Sequence, residues 1–359
     1  VAVGISSPLI TIYLESLGAS YAQISLILTT YVAVLIAGNF VWGRVADRLG
    51  KRKPLLLIGL IAVSVGFYLL SRADDPTLAW GARMIEAAGM AAITTISLAL
   101  MGDILEGATQ KGRRMGLYRG IGSLAFSLGA LTGGRVADTY SLSLTFSICA
   151  LIYLGAAVVA LLLHDIPMPP KSNEPIATPR KRRWQLSGDL PVFFLVGALL
   201  WTAAHSASTS MWPNYMASLG YTNTAIGSLW GLAAFVEMPA MYIAGALSDV
   251  MGRAILLAAG GFFIAMVQLG YLMVANYMPA LLGVQVIRGF GFGSYTTASM
   301  TFTAERGGQA SRGGNSGLFY MTASIGQLLG MFLGGQLVQF FGFSTLYLVC
   351  FGFAMGSGC

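Results

Sequence analysis

The chain has 359 residues and a formal charge of +7, with 56% hydrophobic and only 10% charged residues, and its mean hydropathy is +0.72. A soluble domain of this size carries about a quarter of its residues as charges to cover its surface, so an ordinary cytosolic enzyme is excluded. The 46 glycines lie inside long apolar stretches without a collagen-like period, which suits closely packed membrane helices. Cys149, Cys350 and Cys359 stand in or beside apolar segments with no paired spacing, so neither a disulfide framework nor a metal site is expected.

A hydrocarbon core of about 30 Å takes roughly 20 helical residues. Twelve such stretches follow one another between short polar breaks, at residues 1–14, 22–43, 54–71, 78–102, 114–134, 141–163, 190–216, 223–244, 254–274, 278–302, 314–339 and 342–359. The expected fold class is therefore an all-α membrane protein. The first stretch is short and begins without methionine, and the last stops at Cys359 while still apolar, so both terminal helices are read as incomplete. The opening residues lack a charged leader and a small-residue cleavage site, which argues against a signal peptide.

Lysine and arginine accumulate in cytoplasmic loops, and here they follow the even-numbered stretches: Arg44, Arg48, Lys51, Arg52 and Lys53; Lys111, Arg113 and Arg114; Lys171 and the run Arg180, Lys181, Arg182, Arg183; then Arg253, Arg306 and Arg312. Arg72 and Arg135 stand near the other side. Both termini and the central loop are expected to be cytoplasmic, and the net charge follows from topology. Charges dispersed over membrane loops do not make a nucleic-acid surface. The run at 180–183 can touch anionic membrane lipid or act simply as a topology determinant in a linker.

The chain is written twice, and a repeat of this kind fixes architecture. Leu14-Glu15-Ser16-Leu17-Gly18 matches Met216-Ala217-Ser218-Leu219-Gly220, Gly43-Arg44-Val45-Ala46-Asp47 matches Gly245-Ala246-Leu247-Ser248-Asp249, and Gly129-Ala130-Leu131-Thr132-Gly133-Gly134 matches Gly330-Met331-Phe332-Leu333-Gly334-Gly335. Arg83 is paired with Arg288. Two six-helix bundles follow, 1–163 and 190–359, joined by a cytoplasmic linker at 164–189. A parallel duplication places a pathway between the halves.

At these residues the chain resembles the major facilitator superfamily over essentially its whole length. The most specific match is Gly43-Arg44-Val45-Ala46-Asp47-Arg48-Leu49-Gly50-Lys51-Arg52-Lys53, similar to the family's loop between its second and third helices, with a degenerate copy from Gly245 and Asp249 to Gly252 and Arg253. Glycines at 43 and 50 allow a tight turn to approach a neighbouring helix. The resemblance implies that Asp47 docks on a helix of the opposite half, near Arg312, when the cytoplasmic side closes, and that Asp103 holds Arg48. Arg52 belongs to the same gate. The alternative is plain loop solubility. Gly134-Arg135-Val136-Ala137-Asp138 repeats the first five letters but lacks the basic residues after them and lies on the other side, so it is read as coincidence.

An ionisable residue inside a span costs about 2.5–3.5 kcal/mol on insertion scales, which makes each one a functional candidate. Arg83 and Glu86, three apart on one helix face, can pair; the resemblance places an arginine motif of the substrate and proton pathway here, and a structural pair is the alternative. Arg288 sits in Arg288-Gly289-Phe290-Gly291. Glu237 has no cation within four residues on its own helix, and a carboxyl buried away from a fixed cation can exchange protons near physiological pH, so it is expected to bind and release a proton. The segment from Ser228-Leu229-Trp230 to Glu237 is similar to the proton-coupled sugar, nucleoside and phenylpropionate symporter branch. His205, among Ser206, Ser208, Thr209 and Ser210, is either titratable in a polar pocket or held by an interhelical hydrogen bond. Tyr31, Trp201, Trp212 and Trp230 either line a cavity or mark the membrane interface.

Gly129, Gly133 and Gly134, and their partners Gly330, Gly334 and Gly335, are read as helix-packing positions. The first set resembles a family motif of proton-exchanging exporters, with Ala130 where that motif has proline. The expected function is secondary active transport of a small-molecule solute by alternating access, driven by proton symport, in the plasma membrane of a bacterium (the inner membrane), by a monomer without a cofactor. Alternatives are a proton-driven drug or metabolite efflux antiporter and a transporter-like receptor. No nucleophile, base or metal set marks an enzyme, and Gly289-Phe290-Gly291-Phe292-Gly293 lacks the strand and lysine of a phosphate cradle.

Overall fold

The computed structural model describes residues 1–49, 51–105, 111–162, 190–306 and 312–358, and the side chains of all these except 47, 98, 102–105, 111–120, 249, 304, 312 and 313. The linker at 164–189, Gly50, and the side chains of Asp47, Asp103, Asp249 and Arg312 therefore lie outside the described residues.

Helices occupy every predicted stretch: α1 (Ala2–Ser6), α2 (Ile10–Ser16), α3 (Tyr21–Leu49), α4 (Lys53–Ser71), α5 (Pro76–Leu105), α6 (Lys111–Thr139), α7 (Leu142–Leu161), α8 (Val192–Ser218), α9 (Asn223–Met251), α10 (Arg253–Met273), α11 (Met278–Glu305) and α12 (Arg312–Ser357). Two cuts differ from expectation. The first stretch is split in two around Pro8, which has no N–H to continue the ladder. The last two stretches form one element bent at Gly342, whose φ of +80° suits glycine. Eight of the described helices are long and apolar enough to cross a membrane: α3, α4, α5, α7, α8, α9, α10 and α12. In α6, Lys111, Arg113, Arg114, Arg135 and Asp138 lower the hydropathy, and in α11 Gln285, Arg288 and the Ser/Thr run that follows do so.

Small residues set the register between the halves. A Cβ on Gly43 would lie 3.9 Å from Thr95 Cγ2, and one on Gly245 would lie 3.8 Å from Thr297 Cγ2. A Cβ on Gly38 would crowd Ala91, and one on Gly293 would crowd Ala240. These contacts pair α3 with α9 and α5 with α11, residue for residue. In the first half, Tyr13, Phe67, Phe146 and Tyr153 join α2, α4 and α7, with ring centroids 5.0–6.3 Å apart. Trp212, Tyr271 and Tyr347 form the corresponding cluster of the second half.

The halves meet at the end away from the basic connections, here the far end. Asn214 Nδ2 on α8 donates to Thr11 O and to Glu15 Oε2, at 3.0 and 2.5 Å. Tyr21 at the start of α3 stacks edge-on against Phe343 of α12, with centroids 5.4 Å apart. The α6–α9 seam reaches inward as far as Ser127 Oγ, which donates to Gly231 O at 2.9 Å. One turn nearer the basic end, Ile121, Gly122, Ser123 and Leu124 are all exposed, and four successive residues cover every face of a helix. Among the described residues the α6–α9 seam ends there, and the contacts between the halves gather at the far end.

Candidate functional site

Two polar clusters lie inside the helices, one in each half. In the first, α5 carries Arg83 and Glu86, both buried. Arg83 NH1 donates to Glu86 Oε2, Tyr31 Oη on α3 donates to Glu86 Oε1 at 3.4 Å, and the guanidinium lies 4.0 Å from the centroid of the Tyr31 ring. The backbone of α4 comes close because residue 66 is glycine: a Cβ there would lie 2.9 Å from both Cβ and N of Glu86. Trp80 Nε1 donates to Thr30 Oγ1 at 2.9 Å, fixing α5 against α3.

In the second cluster Arg288, also buried, donates from NH1 to Gln285 Oε1 at 3.3 Å, while Gln285 Nε2 donates to Tyr271 Oη at 3.3 Å. Its guanidinium lies 5.0 Å from the Trp230 ring centroid. Glu237 stands two turns beyond Trp230 on α9, on the same face. It feels the charge of Arg288, as does His205, yet no ion pair joins it to Arg288 among the described residues. His205 stacks on Trp201, with centroids 5.1 Å apart and planes 7° apart, and tilts against Phe292. The hydroxyl of Thr209 donates to the His205 carbonyl rather than to its ring.

A cavity between α8, α10 and α11 is lined by His205, Ser208, Trp212, Gln268, Tyr271 and Arg288. Three of its buried polar atoms have no protein partner: Trp212 Nε1 and Arg288 Nε, which donate, and Gln268 Oε1, which accepts. Leaving one such group unsatisfied costs about 1–3 kcal/mol, and the space they share, about 10 Å³, has room for about one water.

The register of the halves corrects one sequence reading. Arg83 and Arg288 are not repeat partners. The contacts that match Gly43 to Gly245 and Thr95 to Thr297 bring Gln285 onto Arg83 and Arg288 onto Glu86, one helical turn from the expected pairing. Comparing arginines as letters missed this. Tyr31 and Trp230 emerge as the aromatic partners of the two guanidiniums, while Gln285, Tyr271 and Gln268 carried no signal in the sequence because neutral polar residues in a span are not costly enough to stand out.

At the basic end Gly43 is not in a turn, since α3 runs on to Leu49 without a break; its place is a close approach to α5 at Thr95. The turn belongs to Gly252, whose φ is +91°, between α9 and α10. Arg253 is held there by Glu305 at the end of α11, through Nε and NH2 at 3.1 and 2.7 Å, and by Ser248 Oγ at 2.6 Å. Glu305 is the repeat counterpart of Asp103. Arg48 is exposed in the last turn of α3, and Arg52 precedes α4 as its N-cap.

The glycine sets divide by function. Gly129 and Gly133 lie against Val1 and Ile5 of their own half, and Gly330 and Gly334 against Ala203 and Ala207 of theirs. Gly134 and Gly335 cross over, Gly134 onto the backbone of Asn223 and Gly335 onto that of Tyr21. The five-letter copy at 134–138 sits in a different setting from Gly43, its first residue packed at the far end against the opposite half.

Two repeated helical bundles, joined at the far end and carrying buried charges in their spans, define a membrane transporter fold. The sequence profile described as Major Facilitator Superfamily matches residues 1–323, and the chain belongs to that family. It is 25% identical to a protein of Deinococcus radiodurans named "Putative sugar efflux transporter", over 97% of this chain and 90% of the relative. It is 30% identical to a maltose permease of Geobacillus stearothermophilus, over 72% of this chain and 65% of that one. The crystal structure of the nucleoside transporter NupG superposes with a TM-score of 0.80 over 99% of this chain and 94% of its own, at 16% identity. That likeness is one of fold.

Proposed function

We propose that this integral membrane protein moves a small polyhydroxylated solute, of the sugar or nucleoside kind, across a bacterial inner membrane by alternating access, coupled to proton symport. The observation that carries the proposal is the cavity beside Arg288, where two unpartnered donors and one unpartnered acceptor stand next to the rings of Trp212 and Tyr271. Hydroxyl groups both donate and accept, and an aromatic wall receives the apolar face of a sugar or base. At about 10 Å³ the space is smaller than a sugar, so in this reading α8, α10 and α11 move apart as the solute enters. The sugar-related names of two relatives agree with that class of solute.

Proton coupling rests on Glu237 and on the Arg83–Glu86 pair, the carboxylates inside the spans. In this reading Glu237 exchanges a proton as the solute enters the field of Arg288. The basic end faces the cytoplasm because lysine and arginine are retained there, which makes the closed far end the outer one. The protein works as a monomer and needs no cofactor beyond the proton gradient. Export is the second reading, favoured by the name of the Deinococcus radiodurans relative. Uptake of radiolabelled maltose, glucose and uridine into proteoliposomes, under an imposed inward proton gradient and its reverse, tests both. Accumulation under the inward gradient that collapses with a protonophore supports symport, accumulation under the outward gradient, with protons leaving as solute enters, supports the exchange an exporter performs, and indifference to the gradient rejects proton coupling.

A further inference from the structure

The far end is shut by two helix caps related by the internal repeat. In the first, Asp138 at the end of α6 receives the N–H groups of Asn223 and Thr224, the first two residues of α9, at 3.1 and 2.7 Å, and the Asn223 side-chain amide at 2.8 Å. In the second, Gln339 Oε1 in α12 receives the N–H of Tyr21, the first residue of α3, at 3.0 Å. Asp138 and Gln339 are repeat counterparts, and so are Asn223 and Tyr21. The correspondence extends to the helix starts. The third N–H of α9 is bound by its own N-cap, Thr222 Oγ1, at 3.2 Å, and that of α3 by Ser20 Oγ at 3.3 Å. One turn before each clasping residue stands a glycine, Gly134 or Gly335, against the carbonyl of the same first residue. Each helix thus starts with part of its N–H set satisfied by its own cap and part by the opposite half.

We propose that Asp138 and Gln339 form a paired clasp holding the far end of the transporter closed, and that release of both caps is the step that opens this end. When the halves part, the first N–H groups of α3 and α9 lose their partners and the carboxylate leaves the positive end of the α9 dipole. A carboxylate at a helix N-terminus is held more firmly than a neutral amide, so the two clasps are unequal. Asp138 is the stronger lock and Gln339 the weaker. The proposal rests on alternating access alone and needs neither the identity of the solute nor the coupling ion.

Nitroxide labels at Tyr140→Cys and Tyr277→Cys, exposed at the far end in opposite halves, measure the opening by dipolar spectroscopy in proteoliposomes without added solute. Cys359 is replaced by serine in this background, while Cys149 and Cys350 are buried. Asp138→Ala is expected to raise the population of the longer distance about three- to fivefold, and Gln339→Ala to raise it less. Gln339→Glu places a second carboxylate at a helix start and is expected to lower that population below the unmodified level. An unchanged distribution in Asp138→Ala at an unchanged melting temperature overturns the proposal, as does a longer-distance gain in Gln339→Glu. Should Asp138→Ala not fold, the Gln339→Glu result decides, since it strengthens rather than removes a contact. Failure to find proton-driven uptake leaves this readout untouched.

Discussion

Glu86 on α5 and Arg288 on α11 hold the same place in the two halves and carry opposite charges. Each is tied to the residue one turn earlier, Glu86 as acceptor from Arg83 and Arg288 as donor to Gln285. The first pair is neutral in sum, whereas the second leaves a guanidinium with a neutral partner. The duplication has thus been made chemically unequal, with its uncompensated charge beside the cavity lined by His205, Gln268 and Tyr271.

Breaking the first pair from one side leaves an uncompensated buried charge. Glu86→Gln is expected to destabilise the protein by about 3–5 kcal/mol, and the double variant Arg83→Met/Glu86→Leu to recover most of that loss, because the attraction within a buried pair is largely offset by its desolvation. Thermal unfolding in detergent of Arg83→Met, Glu86→Leu and the double variant measures the coupling. A double variant that is stable yet inactive assigns the pair to transport, and one that is stable and active assigns it to packing.

Arg288 donates from a planar guanidinium to Gln285 and lies over the Trp230 ring, and lysine reproduces that geometry poorly. Arg288→Lys is expected to raise KM about tenfold with a smaller change in kcat, and Arg288→Ala to abolish saturable uptake. Concentration-dependent uptake in proteoliposomes separates the two effects. A KM equal in Arg288→Lys and the unmodified protein would remove the guanidinium from solute binding.

The twelve stretches and the two halves were legible because hydropathy and a constant repeat spacing survive in single letters. The clusters were half legible. Arg83, Glu86, Glu237 and Arg288 stand out because a charge in a span is expensive, but Tyr31, Gln285 and Gln268 are ordinary residues until the fold gathers them. Glu305 was hidden for a different reason: an acid at a helix end looks like surface until Arg253 is seen forked on it. Asp138 was given no role, because its partners, Asn223 and Thr224, act through backbone N–H groups that no sequence displays. Gly43 misled because a glycine before a loop motif suggests a turn, whereas the helix continues through it to pack on Thr95.

Gly66 lets α4 approach Glu86 so closely that any side chain must displace the acid. Gly66→Ala is expected to cost about 1–3 kcal/mol through overpacking and to perturb transport beyond that loss, because the displaced carboxylate parts from Arg83 and Tyr31. Gly155, where a Cβ meets open space, supplies the control: Gly155→Ala is expected to leave both melting temperature and uptake within error. Equal effects of the two substitutions would mean that the approach at Gly66 is slack.

The pH dependence of transport assigns the proton. Burial pushes the Asp138 carboxyl up, but hydrogen bonds from Thr224 and Asn223 outweigh it and hold the group below its ordinary 3.8. A carboxyl lowered in the clasped state strengthens that state above its free value of 3.8 and weakens it only as pH falls through the lowered one. The clasp is therefore constant between pH 5 and 8, and a proton-dependent step in that window belongs to another group. Asp138→Asn is expected to change the rate of uptake by a similar factor at every pH from 5 to 8, leaving the shape of the profile intact. Glu237→Gln is expected to flatten it. Uptake measured across that range in both variants distinguishes a clasp from a proton carrier, and a profile flattened by Asp138→Asn but not by Glu237→Gln would reverse the two assignments.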